Sequence, residues 1–235
     1  LADELYFNGR FSDESYTMAV YGQGEVHDIS IRGTTYLENR HVDVDTDLDI
    51  TASSERYAFR KGNLIIDKTL DFKVSGAFEG DGIDLRILGS ELDIIKTLSL
   101  IPIETRSAFD DYTSSGELSF DCTLKGAFGK TDNPNFEATF SVSDGSIYKN
   151  ASSWKLTDLT GDGSITNGAR KAFSSAEIIL NDLKGELNGD PFSSKFSVSN
   201  FNQPNIDGSV RFESNLEALS GFFNVEWMAN STGKF

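Results

Sequence analysis

A mainly antiparallel β fold is predicted by three features of this 235-residue sequence. Apolar and polar residues alternate with a period of two over many short stretches, as they do in strands that bury one face. Eighteen Phe and seven Tyr stand against two Met, a balance that favours strands over helices. Twenty-one Gly, with many Ser, Thr, Asp and Asn, supply turns between the alternating stretches. The predicted architecture is a strongly curved antiparallel sheet, forming a β-groove or a closed sandwich, with two short helices.

Alternating runs in the first forty residues lie at Leu5–Phe11, Tyr16–Tyr21, Glu25–Arg32 and Thr34–Leu37, punctuated by Gly22, Gly24 and Gly33. From His41 to Thr51 the alternation is nearly strict, with Val42, Val44, Thr46, Leu48 and Ile50 facing one way and Asp43, Asp45, Asp47 and Asp49 the other. This carboxylate ladder lacks the Gly at the sixth position and the Glu at the twelfth that a calcium loop needs, so it is expected to be a solvated outer face. Tyr57 with Phe59, Leu64 with Ile66, the series Leu70, Phe72 and Val74, and the series Ile83, Leu85 and Ile87 mark further strands. Turns are predicted between them at Lys61-Gly62-Asn63 and Gly80-Asp81-Gly82. After Gly89 the period changes. Leu92, Ile95 and Leu98 follow helical spacing behind Ser90 with Asp93 three residues on, and Pro102 closes a helix predicted over 90–100.

Residues 103–115 read as a polar connector. Leu118, Phe120, Cys122 and Leu124 then alternate with polar residues, as do Phe136, Ala138, Phe140 and Val142 until Asp144-Gly145 is expected to turn the chain. Short strands follow at Ile147-Tyr148, Leu156 to Leu159, Ile165, Ile178 to Leu180, Leu187, and Phe192 to Val198, with tight turns at Asn167-Gly168 and Asn188-Gly189. Ser214 and Glu217 form a capping box before Leu216 and Leu219, which predicts the second helix over 214–222.

The pattern repeats. Pro204 to Phe212 matches Pro134 to Val142 in residue type at nearly every position, and Gly76-Ala77-Phe78 recurs as Gly126-Ala127-Phe128. The chain is expected to be a single repeat-built β region over 1–235, with units at about 41–102 and 114–222, and to be a section of a longer chain. Its opening residues lack the basic-then-apolar order of a signal peptide, and it begins without Met, so any membrane anchor or export signal is expected in flanking segments.

Composition limits the chemistry. A formal charge of −16 argues against nucleic acid or an anionic leaflet as partner, because both need clustered Lys and Arg. The single Cys122 rules out an internal disulfide and a multi-Cys metal cage, and its place among apolar residues marks a small core side chain. His27 and His41 are too few for a histidine-rich metal site, and Gly80-Asp81-Gly82 lacks the Lys-Ser/Thr of a phosphate loop. Asn150 and Asn230 stand in Asn-x-Ser/Thr triplets and read as loop residues. Thirty-seven acidic residues offer many pairs for a glycosidase, yet no spacing selects one. No catalytic residue, metal or cofactor is expected, and the chain is expected not to be an enzyme.

About a dozen one-sided strands need cover on their apolar face, which two short helices cannot supply. Two sheets can close on each other, or one sheet can curl into a trough filled by a ligand, and periodicity does not choose between them.

Gly116-x-Leu118-x-Phe120 through Leu124-x-Gly126, then Pro134-x-Phe136-x-Ala138-x-Phe140-x-Val142-x-Asp144-Gly145, carry a family resemblance. Leu156 to Asn167, Gly189-Asp190-Pro191-Phe192 and Asn200-Phe201-Asn202-Gln203-Pro204 continue the series. In this order, most clearly over 70–222, the chain resembles the AsmA-like family of bacterial envelope proteins in its Bacteroidetes form. The resemblance implies a long periplasmic β region behind an inner-membrane helix, similar to bridge-like lipid transfer proteins, with a role in outer-membrane biogenesis. It implies phospholipid as the partner, contact with the inner or outer membrane through segments outside this sequence, and periplasmic localisation with an inner-membrane anchor in the full-length protein. The lining of the implied lipid groove is Phe72, Val74, Leu85, Phe120, Leu124, Phe136, Phe140, Phe196, Val198, Val210 and Phe212. The alternative is a self-packed β domain with a structural or protein-binding role in the envelope, and a carbohydrate-active β protein is a third reading.

Overall fold

Alternating strands joined by short connections pair with their sequence neighbours, because a tight turn returns the chain antiparallel to itself. The computed structural model describes residues 2–12, 14–31, 34–100, 111–129, 132–150 and 155–212. The strands are β1 (Ala2–Phe11), β2 (Ser15–Ile31), β3 (Thr34–Thr51), β4 (Arg56–Ile66), β5 (Leu70–Glu79) and β6 (Gly82–Asp93). After the helix α1 (Ile94–Leu98) come β7 (Tyr112–Ala127), β8 (Asn135–Lys149), β9 (Lys155–Thr166), β10 (Glu177–Leu187), β11 (Asp190–Ser199) and β12 (Asn205–Phe212). All twelve form one sheet in sequence order, each pairing antiparallel with the next. Among the described residues the sheet does not close: β1 and β12 are its two edges, and they do not pair with each other as a closed form would require.

The twelve described strands match the dozen expected, but they are longer than the alternating runs that mark them, because several expected turns are bulges inside strands. Gly22 and Gly24 lie within β2, and Lys61-Gly62-Asn63 lies within β4. At β4 the register with both neighbours shifts around Phe59 to Gly62, and the Lys61 carbonyl accepts a 2.7 Å hydrogen bond from the Thr46 hydroxyl. That bond satisfies a hydroxyl buried on an apolar face. Gly62 is required by proximity, since a Cβ there would stand 2.6 Å from the Val74 carbonyl oxygen. Asp144-Gly145 is likewise a bulge in β8, with Asp144 at φ 48, and the strand runs on to Lys149. Gly80-Asp81 and Asn188-Gly189 do turn the chain as expected. The end of the predicted polar connector is strand, because β7 starts at Tyr112 and pairs with Lys149.

Among the described residues there is one α-helix of five residues, with two short 3-10 turns at Ala52–Ser54 and Phe173–Ser175. The helix predicted over 90–100 begins later: Ser90 and Leu92 belong to β6, where a bulge with Glu91 at φ 56 carries the strand to Asp93. Asp93 is the cap, its carboxylate accepting the Lys96 N–H at 2.8 Å. The helix predicted over 214–222 lies outside the described residues.

A buried cluster spans β3 to β6. Val42, Ile66, Leu70, Phe72 and Leu92 form it, with Leu70 and Leu92 only 1% exposed, and Leu64, Ile87, Leu100 and Phe120 pack against it. Arg40 ties the region together through an ion pair with Asp67 and a 3.0 Å bond to the Ser99 hydroxyl just beyond α1. Among the described residues no helix is long and apolar enough to cross a membrane.

Candidate functional site

Backbone partners in an antiparallel sheet carry their side chains on the same face, so registers fix which residues share a surface. One row of partners crosses all twelve strands: Leu5, Gly22, Val44, Leu64, Phe72, Gly89, Phe120, Phe140, Gly163, Leu180, Phe196 and Gly208. The next row, two residues along each strand, is Phe7, Val20, Thr46, Gly62, Val74, Ile87, Cys122, Ala138, Ile165, Ile178, Val198 and Ile206. Neither row contains a charge, and its one polar side chain, Thr46, is hydrogen-bonded. Eleven strand spacings make this apolar path roughly 50 Å long.

The predicted lining residues fall on these rows or beside them. Phe72, Phe120, Phe140 and Phe196 are in the first row, Val74 and Val198 in the second, and Leu85, Leu124 and Phe136 are successive partners in a third. Val210 pairs with Ser194 one step the other way, and the Phe212 backbone pairs with Phe192. Leu64, Ile165, Ile178 and Leu180, which the sequence marks as strand residues without assigning them to the lining, continue the rows together with Ile206.

Glycine shapes the first row. A Cβ at Gly89 would stand 2.8 Å from Phe120 Cε1, and one at Gly163 would stand 2.5 Å from Phe140 Cζ. The aromatic rings therefore lie sideways over the bare backbone of the next strand rather than standing clear of the sheet. Phe72 and Phe120, on either side of Gly89 in the row, meet with ring centroids 5.9 Å apart. At Gly208 the close approach is of β11 itself, since a Cβ there would stand 2.5 Å from both the Lys195 carbonyl oxygen and Phe196 Cβ.

Cover over this face is uneven. Phe72, Leu85, Cys122 and Ala138 are buried, Phe120, Leu124, Phe136, Phe140, Phe196 and Val198 are half-buried, and Val210 and Ile206 on β12 are 53% and 74% exposed. Burial also pushes the Cys122 thiol up to about 11.

The opposite face is polar and ion-paired. Lys61 reaches Asp45 at 2.7 Å and Arg60 reaches Asp49 at 3.1 Å, so cations of β4 partly neutralise the carboxylate ladder of β3. Arg86 grips Asp121 with two hydrogen bonds of 2.8 and 2.5 Å, and Lys125 pairs with Asp84. An open depression of about 460 Å³ lies here, lined by Arg86, Asp121, Thr123, Glu137, Thr139, Ser164 and Thr166. The Arg86 hydrogen bond holds the Asp121 carboxyl below its usual range, the reverse of what a glycosidase acid needs. His41 sits between Glu25 and Asp43, 3.4 and 3.5 Å away. Among the described residues no group of three His, Cys, Asp or Glu is placed to hold a metal ion.

No protein-family model, curated protein or solved structure matches this chain. Its function is therefore argued from the sheet itself.

Proposed function

We propose that this chain is a section of an AsmA-like periplasmic protein that binds phospholipid acyl chains on its apolar sheet face and lets them pass along it, in the service of outer-membrane biogenesis. The observation that carries the reading is the pair of charge-free rows crossing all twelve strands of a single open sheet. In the proposal the sheet curls into a trough with these rows as its floor, and an inner-membrane anchor lies in segments outside this sequence.

The energetics suit the task. Exposing an acyl chain to water costs about 0.8 kcal/mol per CH₂, or roughly 12 kcal/mol for sixteen carbons. A continuous hydrocarbon-like floor removes most of that barrier while holding no part of the chain tightly. Rings whose edges occupy the space over Gly89 and Gly163 contribute to a floor with no fixed charge in either row to arrest a moving chain. The reading assigns the protein no catalytic step.

Purified protein should retain phospholipid, detected by mass spectrometry of its chloroform extract. Phe140→Glu places a carboxylate in the middle of the first row, where an unpaired charge costs several kcal/mol or takes up a proton. The expected result is loss of fluorescent phospholipid binding with a melting temperature close to wild type. Wild-type protein that binds no phospholipid, together with global unfolding of Phe140→Glu, would defeat the proposal in favour of a self-packed structural domain.

A further inference from the structure

The proposed floor accounts for acyl chains and leaves open what meets a lipid's headgroup. Lys171 lies in the connection between β9 and β10, at the strand ends that also carry the β7–β8 and β11–β12 connections. Its ammonium stands 3.4 Å from the space a Cβ on Gly126 would occupy. Gly126 pairs with Ile83 at the rim of the apolar face, two residues beyond Leu124, a step of about 7 Å along the strand.

The position is held firmly. Lys171, at φ 53, donates its backbone N–H to the Gly168 carbonyl at 2.9 Å, and its own carbonyl accepts from the Asn133 amide at 2.8 Å. Asn167 bonds the Pro134 carbonyl and the Phe136 N–H, while the Phe201 N–H reaches the Phe173 carbonyl. Three connections thus form one hydrogen-bonded frame, from which Phe173 projects 69% exposed.

The charge is available. Among the described residues Lys171 enters no ion pair; Lys73, Lys149, Lys155 and Lys195 also enter none, and what sets Lys171 apart is its ammonium at the rim of the apolar face. In a chain with 37 acidic and 21 basic residues, a half-buried lysine left without a carboxylate is free for an anion from outside.

We infer that Lys171 binds the phosphate of a phospholipid headgroup at the rim of the apolar face. This rests on the lipid reading above. A compact ammonium on a flexible stem can follow a phosphate as the lipid shifts along the sheet, and the apolar rows a step away receive the acyl chains. That adjacency selects a lipid phosphate over the phosphate of a soluble ligand.

The test compares two tail-labelled lipids with identical acyl chains, phosphatidylglycerol and diacylglycerol, binding to wild-type protein, Lys171→Met and Lys171→Arg. Wild type should prefer phosphatidylglycerol. Lys171→Met should lose that preference by on the order of tenfold, the worth of one hydrogen bond to a charged group. Its diacylglycerol binding and melting temperature should stay unchanged, and Lys171→Arg should recover most of the preference. Equal binding of both lipids by wild type, or an unaltered preference in Lys171→Met, would overturn the inference while leaving the acyl floor intact. Wild type that binds neither lipid, whether or not it binds inorganic phosphate, would overturn the floor and the inference together.

Discussion

Two regions of the same apolar face differ in what covers them. Around Leu70, Phe72 and Leu92, side chains from four strands and the residues following α1 enclose one another, and exposure falls to 1–5%. At β12 the same alternation continues through Ile206 and Val210, yet these side chains remain more than half exposed. The local pattern of apolar and polar residues is alike in both places. What differs among the described residues is the company: past a bulge at Glu91 the chain places Leu92 in the cluster, Leu100 beyond α1 packs against it, and Arg40 bonds Asp67 and Ser99. One-sided patterning therefore specifies a face, and tertiary cover decides whether that face acts as core or as a surface for something else.

The largest expected effect separates the two regions directly. Phe72→Ala should cost about 3–5 kcal/mol of unfolding free energy, as for other buried Phe. Val210→Ala should change it by no more than about 0.5 kcal/mol, in line with exposed positions. Urea titrations of the two variants would measure both, and equal losses would mean that β12 is packed like the core.

Glycine gives the next effect. A methyl at Gly163 would collide with the backbone carbonyl of Ile179 as well as the Phe140 ring, whereas the atoms nearest to one at Gly89 are the side-chain tips of Leu92 and Phe120. Gly163→Ala should lose about 1–3 kcal/mol, and Gly89→Ala less, because flexible tips yield more cheaply than backbone. A reversed order in the same titrations would contradict the sideways packing of the rings.

These glycines also mark the limit of what could be read beforehand. Alternation along Leu118 to Leu124 and Phe136 to Val142 identified strands and the face they share, because a two-residue period has only one structural meaning. Gly62 and Asp144-Gly145 looked like turns, since a turn and a bulge draw on the same residues. Only pairing with β5 and β9 distinguishes them. The helix start was misplaced for a similar reason: Ser90 and Asp93 both suit a cap, and the bulge at Glu91 hands that role to Asp93. The Lys171 rim lay beyond sequence reasoning, because its nearness to Gly126 arises only when the β9–β10 connection folds beside β7.

Cys122 offers a smaller, chemical readout in the second row. With its thiol at about 11 and its side chain buried, alkylation by iodoacetamide at pH 8 should be slow in the native protein and fast in urea. Rapid native labelling would show that the face is open to water at β7 as it is at β12. The smallest effect belongs to the polar face. Asp121 is held below the ordinary carboxylate range by Arg86, so the pair stabilises the fold above the unfolded carboxyl value near 4 and loses that contribution as the pH falls through the lower folded value. The difference in melting temperature between wild type and Asp121→Asn should accordingly be present at pH 7 and vanish by about pH 2, kept small by solvent around an exposed pair.

The claim that the apolar face carries acyl chains is tested most directly by cross-linking with a phospholipid whose acyl chain bears a photoactivatable diazirine, followed by peptide mapping. Adducts are expected on Phe196, Val198, Ile206 and Val210, with none on Lys195, Ser197 and Asp207 of the same strands' other face. Adducts spread equally over both faces, or confined to the polar one, would contradict it.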